Sequence, residues 1–318
     1  MCSARHPRIL SNDRELTGSA TDVAAAAAPS ALVSPRMLVA LALLVVYLIW
    51  GSTYLAIRIA LEDYPPFLMG AIRFLIAGGL MFGAAAWRGI PLPTAKQWFN
   101  CAVTGTLLLG FGNGLVCFAE QTVASGIAAV AIASMPLFAA IAAGFYRQWP
   151  SRLESLGLLV GFAGVVVLNF GGNLRGSPLG ALALVVAAAT WAFGSVWSRR
   201  RDMPHPAMST AAQMLCGSAA LGIVALVRHE RVVAMHADAT IALAYLTVAG
   251  SILGFSAYIY LLHHVRPALA TSYAYVNPPV AVLVGVALGG ESVRALDILG
   301  MVIIITGVAA ITLAKAKR

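Results

Sequence analysis

Arg73 is the residue whose type and position could do the most specific chemistry in this chain. It is the one charged residue in the otherwise uncharged run 65–87. A guanidinium binds a carboxylate through two parallel N–H donors. A charge inside so long an apolar run needs a partner or water. Two interpretations stay open: Arg73 meets the carboxylate of a bound molecule, or it is bonded to helix-end carbonyls or to Glu120.

Other polar or aromatic side chains occur at similar positions within their own apolar runs. Tryptophan prefers the membrane interface. Trp50 and Trp191, which lie in the middle of runs, therefore either line a cavity or pack between helices. Thr53 follows Trp50 by three residues and is expected at a depth close to that of Arg73. Asn113 lies in a glycine-rich stretch and either bonds a substrate or bridges two helices.

The segment before Pro278 and Pro279 carries the remaining candidates. Paired prolines kink a helix and free backbone carbonyls, which transporters tolerate where the backbone lines a cavity. Tyr273, Tyr275 and Asn277 occupy alternate positions, so they cannot all share one helical face. Ordinary kinks with tyrosines bonded to neighbouring helices are the alternative. The predicted substrate-binding residues are Trp50, Thr53, Arg73, Asn113, Met135, Trp191, Tyr275 and Asn277.

The sequence lacks the motifs that would indicate several kinds of chemistry. It has no Gly-x-x-x-x-Gly-Lys phosphate loop, no His-Glu-x-x-His motif and no credible Ser/His dyad. The cysteines form no Cys-x-x-Cys pair. We therefore predict no cofactor, no metal and no enzymatic activity. Proton coupling stays open, but no mid-run carboxylate offers a carrier, and Asp63 and Glu120 are expected to be solvated at helix ends.

The elements that position these residues are long apolar runs. The chain of 318 residues is 60% hydrophobic and 10% charged, with a mean hydropathy of +0.86. About 18 apolar residues in a helix cross the hydrocarbon layer of a bilayer. The sequence therefore predicts an all-α membrane protein with ten transmembrane helices, over the runs 37–57, 65–87, 97–119, 121–146, 155–174, 176–198, 203–227, 239–265, 267–290 and 298–314.

The positive charges predict how these helices are oriented. With ten crossings, fifteen Lys and Arg residues fall on the side of the N-terminus and five on the other, while Arg73 is the remaining one of 21. The excess marks the cytoplasmic side, so both termini of a multi-pass protein of the bacterial inner membrane are predicted inside. Residues 1–36 lack a signal peptide and are predicted to form a disordered cytoplasmic tail. The net charge of +9 is scattered and indicates no nucleic-acid partner.

The second half of the chain repeats the first at an offset of 140 to 144 residues. Trp50 corresponds to Trp191, and residues 109–111 correspond to 253–255. The two units are predicted at 37–171 and 177–314. Each holds five helices, an odd number, so the second enters the membrane from the opposite side. Two inverted five-helix repeats are typical of secondary transporters, whose halves exchange inward- and outward-open shapes.

The motifs of both units resemble those of a known family. Their order along the chain is Tyr-Leu-Ile-Trp-Gly-Ser-Thr-Tyr at 47–54, Arg-Phe-Leu-Ile-Ala-Gly-Gly at 73–79, Met-Pro-Leu-Phe at 135–138, Gly-Gly-Glu at 289–291 and a Leu-Gly…Gly-Val helix at 299–308. This pattern resembles the EamA family of the drug/metabolite transporter superfamily, and within it the YedA-like exporters. Many first repeats of the family carry a Glu before their fifth helix, where this chain has Gln148-Trp149 and keeps only Glu291.

The resemblance implies a secondary transporter that exports small metabolites, such as amino acids or drug-like compounds, by alternating access. Its partners would be a small-molecule substrate and the lipid bilayer. A gated channel or facilitator is the alternative, distinguished by flux that neither saturates nor shows counterflow. A membrane-embedded enzyme is a further alternative, which the missing catalytic groups disfavour. The sequence indicates neither the substrate nor the oligomeric state.

Overall fold

The computed structural model describes residues 34–123, 131–168, 177–289 and 295–316. Most of the predicted tail and Glu291 therefore lie outside the described residues. The first helix begins at Pro35, two residues before the predicted boundary. Ser34 explains this start, because its hydroxyl accepts a hydrogen bond from the Met37 N–H at 3.2 Å and Pro35 occupies the first helical position.

The regular elements of the described residues are helices. Two of them, Ala95–Ala119 and Ala237–His264, change to wider π-helical turns in their middle and then continue. A short helical turn, Pro267–Ala270, precedes the helix Tyr273–Gly289. In chain order they are α1 Pro35–Ala60, α2 Pro66–Trp87, α3 Ala95–Ala119, α4 Met135–Phe145, α5 Arg152–Leu168, α6 Pro178–Ser198, α7 Pro206–Val227, α8 Ala237–His264, α9 Tyr273–Gly289 and α10 Ala295–Ala316.

Six of these helices, α1, α2, α3, α6, α7 and α8, are long and apolar enough to cross a membrane. The segments Ala131–Phe145 and Ile298–Ala314 are shorter apolar helices. Large apolar side chains such as Leu48, Leu80 and Ile305 are more than half exposed on the outside of the bundle. A water-soluble surface rarely carries so much contiguous apolar area, so this exterior fits the lipid of a membrane.

The helices pack in a pattern that is unchanged when the two halves of the chain are exchanged. The first helix of each half contacts the third and fourth helices of the other: α1 packs against α8 and α9, and α6 packs against α3 and α4. The second helices, α2 and α7, pack on each other, as do the fifth helices, α5 and α10. The space between α1 and α6 is consequently surrounded by helices of both halves.

The α5–α10 contact brings two helix backbones together without intervening side chains. A Cβ at Gly157 would lie 2.8 Å from the Gly307 carbonyl oxygen, and one at Gly164 would lie 2.7 Å from the Ile304 nitrogen. A Cβ at Gly307 would press into the backbone of Gly161. Small residues allow this close approach, which favours helix association in membranes.

Two loops from different halves are joined by an ion pair on the side where α1 ends. The Asp63 carboxylate accepts hydrogen bonds from the His236 backbone N–H at 2.7 Å and lies 2.9 Å from His236 Nδ1. The Asp63 carbonyl also accepts from the Val233 N–H. The expectation of a solvated Asp63 was wrong, because this carboxylate is almost completely buried by the second loop.

We expect the glycine contact to be sensitive to a single methyl group. Gly307→Ala should destabilise the protein by about 1–3 kcal/mol, the usual cost of overpacking, since neither backbone can yield without separating α5 from α10. Gly83→Ala is the matched control in α2, where a Cβ would meet nothing within 4 Å. The measurement is the thermal midpoint in detergent. Equal midpoints for the two variants would contradict the close contact.

The Asp63–His236 pair should make stability depend on pH. The hydrogen bond and charge of Asp63, with Asp238 and Glu62 nearby, raise the pKa of His236, while the bond from His236 lowers the pKa of Asp63. The contribution of the pair is then complete between about pH 4 and pH 6.5, the ordinary values of Asp and His. It is lost as pH rises through the raised pKa of His236 or falls through the lowered pKa of Asp63.

The thermal midpoint should therefore fall between about pH 6 and pH 8, by about 1–2 °C because the imidazole is largely exposed. His236→Ala should lose this dependence. His264→Ala, whose ring stacks on Tyr260, serves as the control and should keep it. A pH dependence that survives in His236→Ala would show that other groups cause it.

Candidate functional site

A cavity with an empty volume of about 630 Å³, counting the open space at its mouth, lies in the middle of the bundle. Seven helices contribute to it: α1, α2, α3, α4, α6, α8 and α9. Its walls are therefore drawn from both halves of the chain. The lining residues are Trp50, Thr53, Tyr54, Ile57, Arg73, Phe74, Leu109, Gly112, Asn113, Val116, Ile132, Met135, Ala187, Trp191, Gly250, Phe255, Tyr273 and Asn277.

Seven of the eight residues predicted to bind substrate line this cavity, and Tyr275 does not. Tyr275 is fully buried, and its hydroxyl donates to the Leu158 carbonyl in α5 at 2.9 Å. Tyr273 and Asn277, four residues apart, share the helical face toward the cavity, whereas Tyr275 points away from it. The structure thus brings the other seven together, and their role in substrate binding stays a prediction.

The cavity is bordered by π-helical turns at corresponding places in the two halves, Thr106–Asn113 in α3 and Leu246–Phe255 in α8. Such turns widen a helix and are frequent at functional sites. Sequence analysis did not predict them. The glycine-containing stretches 110–114 and 250–254 were the sequence feature that could have indicated these turns.

Each half supplies a glycine on which the tryptophan of the other half packs. A Cβ at Gly112 would lie 2.5 Å from the Trp191 ring, and one at Gly254 would overlap the Trp50 indole nitrogen. Gly112 and Gly254 lie in the π-helical turns of α3 and α8. Only glycine leaves room for these indoles, so the two contacts fix how deeply both tryptophans enter the bundle.

Arg73 is buried, with 4% of its surface exposed. Its Nε donates to the Ser251 hydroxyl at 2.7 Å, and its Cζ lies 4.6 Å from the centroid of the Phe74 ring. The ion pairs of the described residues are Arg228–Glu230, His236–Asp63 and Arg266–Glu154. Within that part of the chain, Arg73 has no carboxylate partner, so its suggested pairing with Glu120 is not made.

Five aromatic rings pack together at the end of the cavity: Trp50, Trp191, Phe255, Tyr258 and Tyr273. The centroid distances include 4.7 Å for Trp50–Tyr273, 5.2 Å for Trp50–Tyr258 and 5.5 Å for Trp50–Trp191. Tyr258 is fully buried, and its hydroxyl lies 2.7 Å from the Ser195 hydroxyl. We call these five residues the aromatic cluster. Sequence analysis identified neither Tyr258 nor Phe255 as a site residue, although their three-residue spacing places both on one face of α8.

The described residues offer no ready metal site. No group of three or more His, Cys, Asp or Glu side chains that could hold a metal ion occurs among them. The described cysteines, Cys101, Cys117 and Cys216, are free thiols. The polar chemistry of the cavity is therefore that of Arg73, the two indoles, and the hydroxyl and amide groups beside them.

Comparison with known proteins gives the class to which this fold and cavity belong. The model of the EamA-like transporter family matches the chain twice, over residues 37–170 and 178–313. The chain belongs to this family, so the resemblance seen in the motifs is confirmed. It is a membrane transporter rather than an enzyme.

Individual relatives agree with this assignment. The uncharacterized inner membrane transporter YedA of Escherichia coli (strain K12) is 44% identical over 276 residues, which cover 86% of this chain and 90% of that protein. A probable amino-acid metabolite efflux pump of Salmonella typhimurium is 24% identical, over 84% of this chain and 92% of the pump. A crystal structure that is 22% identical aligns with a TM-score of 0.74, over 88% of this chain and 99% of its own, and shows the shared fold.

Proposed function

We propose that this protein is a secondary transporter of the inner membrane that exports small metabolites by alternating access. The observation that carries the proposal is the central cavity, because its walls come from both family repeats. Substrate sites of such transporters lie at the repeat interface, where discontinuous or irregular helices border them. The π-helical turns of α3 and α8 are irregularities of this kind.

The proposed membrane topology has ten crossings, both termini in the cytoplasm and two inverted five-helix repeats. The exchange symmetry of the packing supports the repeats, and the fifteen-to-five distribution of Lys and Arg supports the orientation. In this topology helices α4, α5, α9 and α10 supply the four crossings beyond the six helices that are long and apolar enough to span a membrane.

In this orientation the aromatic cluster lies on the cytoplasmic side of the cavity. Helix α8 enters from outside at Ala237 and ends inside at His264, so Tyr258 lies between the cavity and the cytoplasm. Contacts among buried aromatic rings exclude water and contribute beyond their buried area. We infer that the cluster closes the cytoplasmic path and that transport requires Tyr258 and Tyr273 to separate from Trp50 and Trp191.

The proposed cargo is a small metabolite such as an amino acid or a drug-like compound. The name of the Salmonella relative, an amino-acid metabolite efflux pump, supports amino acids, and the mixed polar and aromatic lining supports small molecules with an apolar part.

Counterflow in proteoliposomes tests the proposed function. With an unlabelled amino-acid mixture inside, labelled amino acids should accumulate transiently and their uptake should saturate. Gly112→Val should lower this uptake at least tenfold, because its side chain forces Trp191 from its position. Gly79→Val, at a place with nothing within 4 Å, should transport normally. Uptake that rises linearly with concentration and shows no counterflow would identify a channel instead.

Cysteine labelling tests the proposed topology. Val233 and Leu92 are exposed apolar residues in the loops after α7 and α2. In intact cells a membrane-impermeant maleimide should label Val233→Cys and should label Leu92→Cys only after permeabilisation. The unsubstituted protein, with its own cysteines, gives the background. The reverse accessibility would overturn the orientation, and equal labelling of the two would overturn the five crossings, an odd number, proposed between them.

A further inference from the structure

Three buried polar atoms of the cavity residues make no hydrogen bond of good geometry among the described residues: Arg73 Nη1, Trp191 Nε1 and Asn277 Oδ1. Each of these side chains is more than nine-tenths buried. The Tyr54 hydroxyl interacts with the Asn277 side chain, and the Tyr258 hydroxyl with that of Trp191. An unpaired buried polar group costs free energy, and an unpaired charge costs the most. Two of the atoms are N–H donors, one of them cationic, and the third is an acceptor. One molecule in the cavity could satisfy all three.

We propose that the cavity binds a small organic acid. Its carboxylate accepts hydrogen bonds from Arg73 and Trp191, and an N–H or O–H of the same molecule donates to Asn277. This inference rests on the proposed function and specifies the substrate class. A carboxylate is the group that a guanidinium recognises in a fixed geometry.

The charge of the cavity favours an anion. Arg73 carries a full positive charge at neutral pH, and its contacts are the neutral Ser251 hydroxyl and the Phe74 ring. A cation would be repelled by this charge. The residue equivalent to Arg73 in the second repeat is Gln213, which is bonded to Ser209 and does not line the cavity. The cationic group of the site is therefore supplied by the first repeat alone.

The two equivalent tryptophans, Trp50 and Trp191, also differ between the repeats, in the hydrogen bonding of their indole N–H groups. The indole N–H of Trp50 donates to the Gly250 carbonyl at 3.0 Å, so this ring is bonded within the protein. The indole N–H of Trp191 makes no hydrogen bond of good geometry in the described part of the chain, although it interacts with the Tyr258 hydroxyl of the aromatic cluster. If both tryptophans served only to pack the helices, both indole N–H groups would be expected to bond within the protein. Trp191 lines the same cavity as Arg73, so its N–H is available to a ligand there.

The remaining walls favour an organic molecule over an inorganic ion. Trp50, Phe74, Phe255 and Tyr273 present aromatic surface to the cavity. Ligand pockets combine such apolar walls with a few polar groups that fix orientation. A hydrated inorganic anion would gain nothing from the apolar walls, whereas the hydrocarbon part of an organic acid would be removed from water.

Ligand-induced thermal shifts of the full chain in detergent test the proposal. The probes are α-amino acids, the corresponding 2-hydroxy acids, the amides of both, and inorganic phosphate. We expect acids to raise the midpoint and to bind at least tenfold tighter than their amides, the range of a charge-assisted hydrogen bond. Arg73→Gln should abolish this difference, and Arg73→Lys, which keeps the charge without the fork, should reduce it. Amides that bind as tightly as acids, or phosphate that binds as tightly as acids, would overturn the proposal.

The stability of the ligand-free variants separates binding from structure. Arg73→Gln removes an unpaired buried charge, so its ligand-free midpoint should be unchanged or higher. A lower midpoint with equal losses for acids and amides would assign Arg73 to the fold and overturn the proposal.

The tryptophan pair provides a matched comparison. Trp191→Phe should weaken acid binding several-fold and should lower the ligand-free midpoint less than Trp50→Phe does, because both remove buried ring contacts but only Trp50→Phe also leaves the Gly250 carbonyl without its donor. The opposite pattern would contradict the assigned ligand contact. Counterflow without discrimination between acids and amides would overturn this inference alone, while the absence of counterflow for every compound would overturn the proposed function.

Discussion

The indole of each first helix packs on a glycine of the opposite half, Trp50 on Gly254 and Trp191 on Gly112, and this reciprocal contact determines where the cavity forms. The rings meet each other at 5.5 Å, which closes one end of the space between the halves. The π-helical turns that contain the two glycines widen α3 and α8 at the same level. Neither tryptophan could reach the centre if a side chain replaced its glycine, so the size of the cavity follows from these two contacts.

A second constraint is the need to satisfy polar groups where water is scarce. Most hydroxyl groups of the helices meet it locally: Thr53 donates to the Trp50 carbonyl, and Thr104 and Thr247 donate to carbonyls one turn earlier. Such bonds leave the helix exterior apolar. Against this background five buried side-chain atoms of the described residues make no hydrogen bond of good geometry: those of Glu120 and Gln213 lie outside the cavity lining, and those of Arg73, Trp191 and Asn277 belong to it. An unsatisfied buried polar group calls for an explanation, and a bound molecule supplies one for the three in the cavity.

The sequence predicted those features that depend on local pattern. Apolar runs located the helices, and the rarity of a charge in such a run identified Arg73 before its surroundings were known. Features that depend on contacts between distant segments were missed. Asp63 looked like a solvated residue because its partner, His236, lies 173 positions away. Tyr275 looked as suitable as Tyr273, since alternate positions on one helix are distinguished only by which neighbouring helix each side chain meets.

The contact between α5 and α10 joins the same helix of the two repeats, glycine against glycine. A surface that packs against its own equivalent is isologous, the kind of interface that forms symmetric dimers. A separate chain carrying a single five-helix unit would therefore already possess both sides of this interface and could pair with a second copy of itself. Fusion into one chain fixes the ratio of the two units and frees each to diverge, as the arginine at position 73 and the glutamine at position 213 have done.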